Sequence, residues 1–200
     1  TNSGGDSDGI NAEGVIDAIG GSIVLNGTGG TTDGEGIITD SLQIGSVNTT
    51  DITLIGTAAA AGGGDEDGVQ LATTIVTASG NLSITGVAGD TGEAVELDAS
   101  TLNVTGSITI DGTGDAASGV DFNTGTSITA GGNVTVTGRT ATGAWAIDFL
   151  DTFTLNASTG VTIVGDKISL VGTATTIEGG GPLVIESEGP TFNASLTTEG

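Results

Sequence analysis

A short apolar phrase that ends in glycine recurs along this chain and limits its fold more than any other feature. The phrase alternates apolar and small polar residues, as in residues 82–86 (LSITG) and 134–138 (VTVTG). Its glycines follow one another at intervals of 29, 30, 26, 26 and 27 residues, at Gly27, Gly56, Gly86, Gly112, Gly138 and Gly165. A near-constant period of about 20 to 50 residues is typical of solenoids, propellers and repeat arrays. The sequence therefore predicts a repeat architecture.

Each repeat contains three short pieces in which apolar residues alternate with polar ones. Side chains of a strand point to opposite faces with a period of two, so each piece is predicted to be a strand with one buried face. The clearest apolar pairs are Ile108/Ile110 and Val134/Val136 in the first strand, Val120/Phe122 and Ile147/Phe149 in the second, and Leu102/Val104 and Ile128/Ala130 in the third. Three strands and three turns per repeat predict an all-β fold, a parallel β-helix solenoid.

Two other architectures fit the sequence less well. Glycine accounts for 38 of the 200 residues, and glycine is unfavourable inside helices. A propeller blade needs about 40 to 50 residues and four strands. We therefore expect one β-solenoid segment over residues 1–200, with about 6–7 coils of about 22–30 residues. Long-loop coils are expected over 10–158, a tighter coil over 159–187 and an end segment over 188–200.

The charge of the chain excludes some classes of partner. The chain has 25 Asp and Glu but only 2 Lys and Arg, which gives a formal net charge of −23. Such a charge opposes binding to nucleic acid or to anionic membranes. No apolar run approaches the roughly 20 residues of a membrane-spanning helix. We expect neither nucleic-acid binding nor membrane insertion.

Acidic residues gather in the loops that precede the second strand of each repeat. Carboxylates that stacked coils bring together repel one another unless a hard cation such as Ca²⁺ bridges them. Ordinary turn chemistry would also place Asp and Gly in these loops. Calcium is the one cofactor that the sequence suggests, with candidate ligands Asp6, Asp8, Asp33, Glu35, Asp65, Glu66, Asp67, Asp90 and Glu93. Glu96, Asp121 and Asp148 recur on the outward face of the second strand and form a second candidate line for a cation, although we interpret them as a solvated face.

The residue types that are missing argue against catalysis. The chain has no His, Cys or Tyr, which removes the nucleophile pairs built on imidazole or thiol. Carboxylate-pair glycoside chemistry stays formally open, as in polysaccharide-active β-helices. We expect no enzyme activity.

Threonines recur in the first strand at Thr53, Thr109, Thr135 and Thr162, and such a row would suit an ice-binding face.

Phrases such as residues 80–86 (GNLSITG) and 132–138 (GNVTVTG), joined by loops rich in Gly, Thr, Ala and Asp, resemble the repeat shaft of filamentous haemagglutinin-type bacterial exoproteins. The resemblance covers residues 10–187 and implies a right-handed parallel β-helix. It also implies a secreted, cell-surface location and a structural or adhesive role as a segment of an extracellular fibre. An alternative is a filament subunit that assembles end to end. Expected partners are other copies or flanking repeats at the solenoid ends, and cell-surface glycans or proteins.

Overall fold

The computed structural model describes residues 7–32, 34–60, 64, 66–89, 91–150, 152–170 and 175–189, and the backbone of 193–196. Over these ranges the chain forms a right-handed parallel β-solenoid of about six turns, with strands and no helices. No helix that could span a membrane occurs in the same ranges. The strands are β1 (Ile10–Ile16), β2 (Ile23–Thr28), β3 (Ile37–Ile44), β4 (Ile52–Thr57), β5 (Val69–Ala72), β6 (Ile75–Ala78), β7 (Leu82–Val87), β8 (Val95–Asp98), β9 (Thr101–Val104), β10 (Ile108–Gly114), β11 (Val120–Phe122), β12 (Thr126–Ala130), β13 (Asn133–Thr140), β14 (Ile147–Phe149), β15 (Phe153–Ala157), β16 (Gly160–Val164), β17 (Lys167–Leu170), β18 (Thr176–Gly179), β19 (Leu183–Glu186) and β20 (Asn193–Leu196).

The strands stack into parallel ladders that run along the solenoid. The first strands of successive repeats form one sheet in the order β19-β16-β13-β10-β7-β4-β2. Second and third strands together form the other sheet, and in β1 and β3 they are continuous. Register follows the repeat, so that Val136 of β13 pairs with Ile110 of β10 and Ile163 of β16. The structure confirms the predicted all-β parallel solenoid.

The core lies inside the coils and is built from the alternating apolar pairs. Every first-strand pair from Ile52/Leu54 to Val161/Ile163 is buried. Phe122 stacks on Phe149 with ring centroids 4.8 Å apart and planes 7° apart, and Phe153 packs against both rings. Burial of apolar surface contributes about 25 cal/mol per Å². The core is continuous from coil to coil, so each coil stabilises its neighbours.

The glycine that ends the repeated phrase is required because two stretches of backbone meet there. A Cβ atom on Gly112 would lie 1.9 Å from the carbonyl oxygen of Gly119, the residue that leads into β11. Equivalent contacts of 1.8–2.0 Å occur at Gly27, Gly56, Gly86 and Gly138. At Gly165 the nearest atom lies 3.1 Å away, because β17 begins only two residues later without a long loop. Glycine is therefore sterically required at the end of the phrase in the long-loop coils but not in the tighter coil.

The corner between second and third strands is formed by residues with positive φ. Ser41, Thr73 and Ala99 have φ angles of 53°, 50° and 46°, and Gly125 has 85°. Such angles favour glycine, and they are most unfavourable for a β-branched residue such as Thr73. In these four described coils, one left-handed residue turns the chain at this corner.

The last described strands continue the same ladders. Strands β16, β17 and β18 form the coil that was predicted to be tighter, and β19 begins directly after Pro182 and pairs with β16. Strand β20 pairs with β17 through Asn193 to Leu196. The solenoid therefore extends into the predicted end segment.

Candidate functional site

Acidic side chains along the second strands and the loops before them form the most unusual chemical feature of the solenoid. Of the nine predicted calcium ligands, Asp6, Asp33, Asp65 and Asp90 lie outside the described residues. Asp8, Glu35, Glu66, Asp67 and Glu93 are described. Among the described residues, no three acidic side chains are placed to hold one metal ion together. Calcium binding in the loops stays a prediction.

Two neighbouring loop acids share a hydrogen bond. The carboxyl groups of Asp8 and Glu35 are hydrogen-bonded to each other, which requires a proton on one of them. Partial burial, the contact with Asp8 and the charge of Glu66 raise the pKa of Glu35 to about 7. The carboxyl of Glu66 is only 1% exposed; its Oε1 accepts a hydrogen bond of 3.1 Å from the Gly64 amide, and its Oε2 is buried without a partner.

Asp67 continues the acidic series toward the second strand. It is 1% exposed, and its Oδ1 accepts a hydrogen bond of 2.7 Å from the Glu93 amide. Its carboxyl is also hydrogen-bonded to Glu96. Burial first, and then the charges of Glu96 and Glu93, raise the pKa of Asp67 to about 9. Asp67 is therefore protonated at neutral pH.

On the outer face of the second strands, a row of polar residues lies in register along the axis. It runs through Gln70, Glu96, Asp121, Asp148 and Ser169 on five successive strands. The two carboxylate oxygens of Glu96 accept hydrogen bonds of 2.5 and 2.6 Å from the Gln70 and Asn123 side-chain amides. Burial, the neighbouring Asp148 carboxylate and the carboxylates of Glu93 and Glu96 raise the pKa of Asp121 to about 7.

The interpretation of this row as a solvated face was wrong for Asp121. Asp121 is only 8% exposed, and all three residues of β11 are buried. Glu93, in the loop before β8, lies close enough to raise the pKa of Asp121. The alternation predicted the register of the row correctly, but it did not predict that Asp121 is buried there.

A cavity of about 320 Å³ opens on another part of the surface. Its walls include the side chains of Arg139, Asp166, Lys167 and Glu188. Arg139 is ion-paired with Glu188 at 2.7 Å and also with Asp111.

The Lys167 ammonium beside this cavity lies 4.3 Å from the centre of the Trp145 ring and donates a hydrogen bond of 2.7 Å to the carbonyl of Gly143. Trp145 itself is half-buried. Arg139 and Lys167 are the two basic residues of the chain and stand 28 residues apart. This spacing is close to one repeat, so it could have predicted that they line the same cavity.

No family model matches the chain, and neither a curated protein nor a solved structure matches it. The resemblance to haemagglutinin-type shafts therefore stays a prediction that rests on the repeated phrase. What the structure shows is the solenoid fold.

Proposed function

We propose that this chain is a segment of an extracellular bacterial fibre with a structural and adhesive role and no catalytic activity. The observation that carries the proposal is the pair of in-register parallel ladders that continue through about six turns. Hydrogen bonds of a parallel β-solenoid run along its axis. A load applied along the fibre is then shared by every ladder in the coil.

The adhesive part of the proposal is supported by the cavity beside Arg139 and Lys167. Its volume of about 320 Å³ lies at the lower end of the range for small-molecule sites, about 300–1,000 Å³. Its walls combine guanidinium and ammonium donors with the carboxylates of Asp166 and Glu188. Such a mixture of donors and acceptors suits a polar, hydroxyl-rich ligand such as a cell-surface glycan.

A second candidate function, end-to-end assembly, is favoured by one observation at the last described coil. Leu183 and Ile185 continue the inward rows of Val161 and Ile163, yet they are 52% and 38% exposed. Apolar core residues exposed on a terminal strand are a template for a further coil. Another copy of the chain or a flanking repeat would bury them.

Size and shape measurements separate the two candidates. A shaft segment should stay monomeric in analytical ultracentrifugation and appear as short rods in electron micrographs. A stacking subunit should grow with concentration into filaments a few nanometres wide. The Leu183→Asp variant should abolish such growth, whereas Val47→Asp, at an exposed apolar residue outside the strands, should leave it unchanged.

Binding to a glycan array, followed by titration calorimetry, tests the adhesive part separately. We expect Lys167→Gln to weaken the binding of a retained glycan and Asp98→Asn, at an exposed residue of β8, to leave it unchanged. If the chain retains no glycan, the adhesive part of the proposal is refuted. The structural part is tested separately, by the size and shape measurements above and by mechanical unfolding of the chain.

A further inference from the structure

The carboxylates of Asp121, which is buried, and Asp148, which is half-buried, form a pair in which one oxygen of each has no hydrogen-bond partner. They occupy facing positions on the paired strands β11 and β14. The Oδ1 atom of each is buried and has no hydrogen-bond partner. Asp121 is itself more than nine-tenths buried. A buried polar atom without a hydrogen-bond partner destabilises the folded state, and more so when the group is charged.

Asp121 and Asp148 are not joined by a hydrogen bond that shares a proton, unlike two other pairs of carboxyl groups in the solenoid. Asp8 is hydrogen-bonded to Glu35, and Asp67 to Glu96, so each of these pairs holds a proton between its carboxyl groups. Asp121 and Asp148 affect each other through their charges without such a bond. The Asp148 carboxylate accepts a hydrogen bond from the Ser169 hydroxyl. The Oδ1 atoms of Asp121 and Asp148 still lack a hydrogen-bond partner.

No basic side chain of the protein is available to neutralise the pair. The chain has two basic residues. Arg139 is bound to Asp111 and Glu188, and Lys167 lies over Trp145. The carboxylates of Glu93 and Glu96, which lie near Asp121, add further negative charge. When both carboxyl groups are ionised, the positive charge that balances them has to come from outside the chain.

We propose that Asp121 and Asp148 bind a calcium-sized divalent cation between their strands. Adjacent strands of a sheet lie about 4.8 Å apart, and Ca²⁺ binds oxygen at about 2.3–2.6 Å. The spacing of equivalent positions on the two strands is thus about twice the Ca²⁺–oxygen distance, and it exceeds twice the Mg²⁺–oxygen distance of about 2.0–2.1 Å. Asp148 is only half-buried, so water can complete the coordination.

This site differs from the loop positions at which the sequence suggested calcium. It uses the outer row of the second strand, with two protein carboxylates, and so predicts weak binding with a dissociation constant on the order of 10⁻³ M, as in extracellular modules. Ten millimolar Ca²⁺ should then raise the melting temperature by about 3 to 6 °C.

Thermal melting of the whole chain at pH 8, after dialysis against EDTA, tests the proposal. The melting temperature is measured in 10 mM CaCl₂, in 10 mM MgCl₂ and in NaCl of the same ionic strength. We expect a rise with Ca²⁺ that exceeds the rise with either control salt. Asp121→Asn and Asp148→Asn should each lose this excess, while both variants melt at or above the wild-type temperature in EDTA because one buried charge is gone.

Two matched variants locate the site. Asp98→Asn removes an exposed carboxylate of β8 and should keep the calcium increment. Glu66→Gln, in the loop, should keep it as well. The proposal is refuted if wild type shows no excess over the control salts, if Asp121→Asn retains the excess, or if only Glu66→Gln removes it.

Discussion

Replacing Gly112 by Ala tests the physical reason for the repeat that dominates this sequence. The added Cβ would lie 1.9 Å from the Gly119 carbonyl oxygen, 2.7 Å from its carbonyl carbon and 2.9 Å from a methyl of Val120. Ordinary contacts begin at 3.4 Å, so the two stretches of backbone would have to separate by roughly 1.5 Å.

The ladders on both sides resist that separation. Strand β10 is held in register by β7 and by β13, and Gly112 faces Gly86 and Gly138 on them. Overpacking that side chains can absorb costs about 1–3 kcal/mol, and a clash between backbones should reach at least the top of that range. The smaller entropy of the unfolded Ala chain returns only about 0.4–1 kcal/mol. We expect a net loss of about 3 kcal/mol, or a fall in melting temperature of about 6–12 °C.

Gly165→Ala is the matched control because Gly165 ends the same phrase in the tighter coil. Its nearest neighbours are the Ala146 Cβ at 3.1 Å and the Gly138 carbonyl oxygen at 3.4 Å. Its free energy of unfolding should change by less than about 1 kcal/mol. Urea denaturation followed by circular dichroism measures both variants, and the urea dependence reveals local unfolding of single coils. The reasoning is refuted if Gly112→Ala loses no more stability than Gly165→Ala.

Three further predictions concern the corner, the core and the buried acids. Thr73→Gly should raise the free energy of unfolding by up to about 1 kcal/mol in urea denaturation, since it relieves a β-branched residue at φ 50°; equal or lower stability would contradict the strain. Val136→Asp should cost more than about 4 kcal/mol by burying an unpaired charge, whereas Thr135→Asp, on the outward face of the same strand, should be far milder, and similar losses would contradict the register. Because the folded-state pKa values of Asp67 and Asp121 are raised to about 9 and about 7, the folded chain binds more protons than the unfolded chain between about pH 4 and 9. In EDTA its melting temperature should be highest near pH 4 and fall as the pH rises to 9, and a rise over that interval would contradict the burial of these acids.

The sequence predicted the fold well because the solenoid repeats one local pattern. The parity of the apolar pairs predicted that residues such as Ile110 and Phe122 lie in the core. Phe122 and Phe149, which hold the same position in adjacent repeats, stack on each other as a repeat architecture requires. A third strand at Ile75–Ala78 was missed because Ile75, half exposed, obscures its alternation.

The candidate site was less predictable because it depends on the path of the long loops. Alternation shows that Asp121 points outward, but only the three-dimensional structure shows that it is buried there. The approach of Arg139 to Glu188, 49 residues later, likewise depends on the number of coils between them. The repeat period determines which residues stack on one another, whereas the exposure of those residues to solvent depends on the rest of the three-dimensional structure.

Single-molecule force spectroscopy, with the chain pulled from its two ends, tests the central claim most directly. Each long-loop coil of 26 to 30 residues should release about 9–10 nm of extended chain when it leaves the solenoid. The account predicts a series of such steps, one for each coil, since each coil is held by its own ladders and core contacts. Release of the whole chain in one step, or extension with no resistance, would contradict a β-solenoid whose coils resist mechanical force.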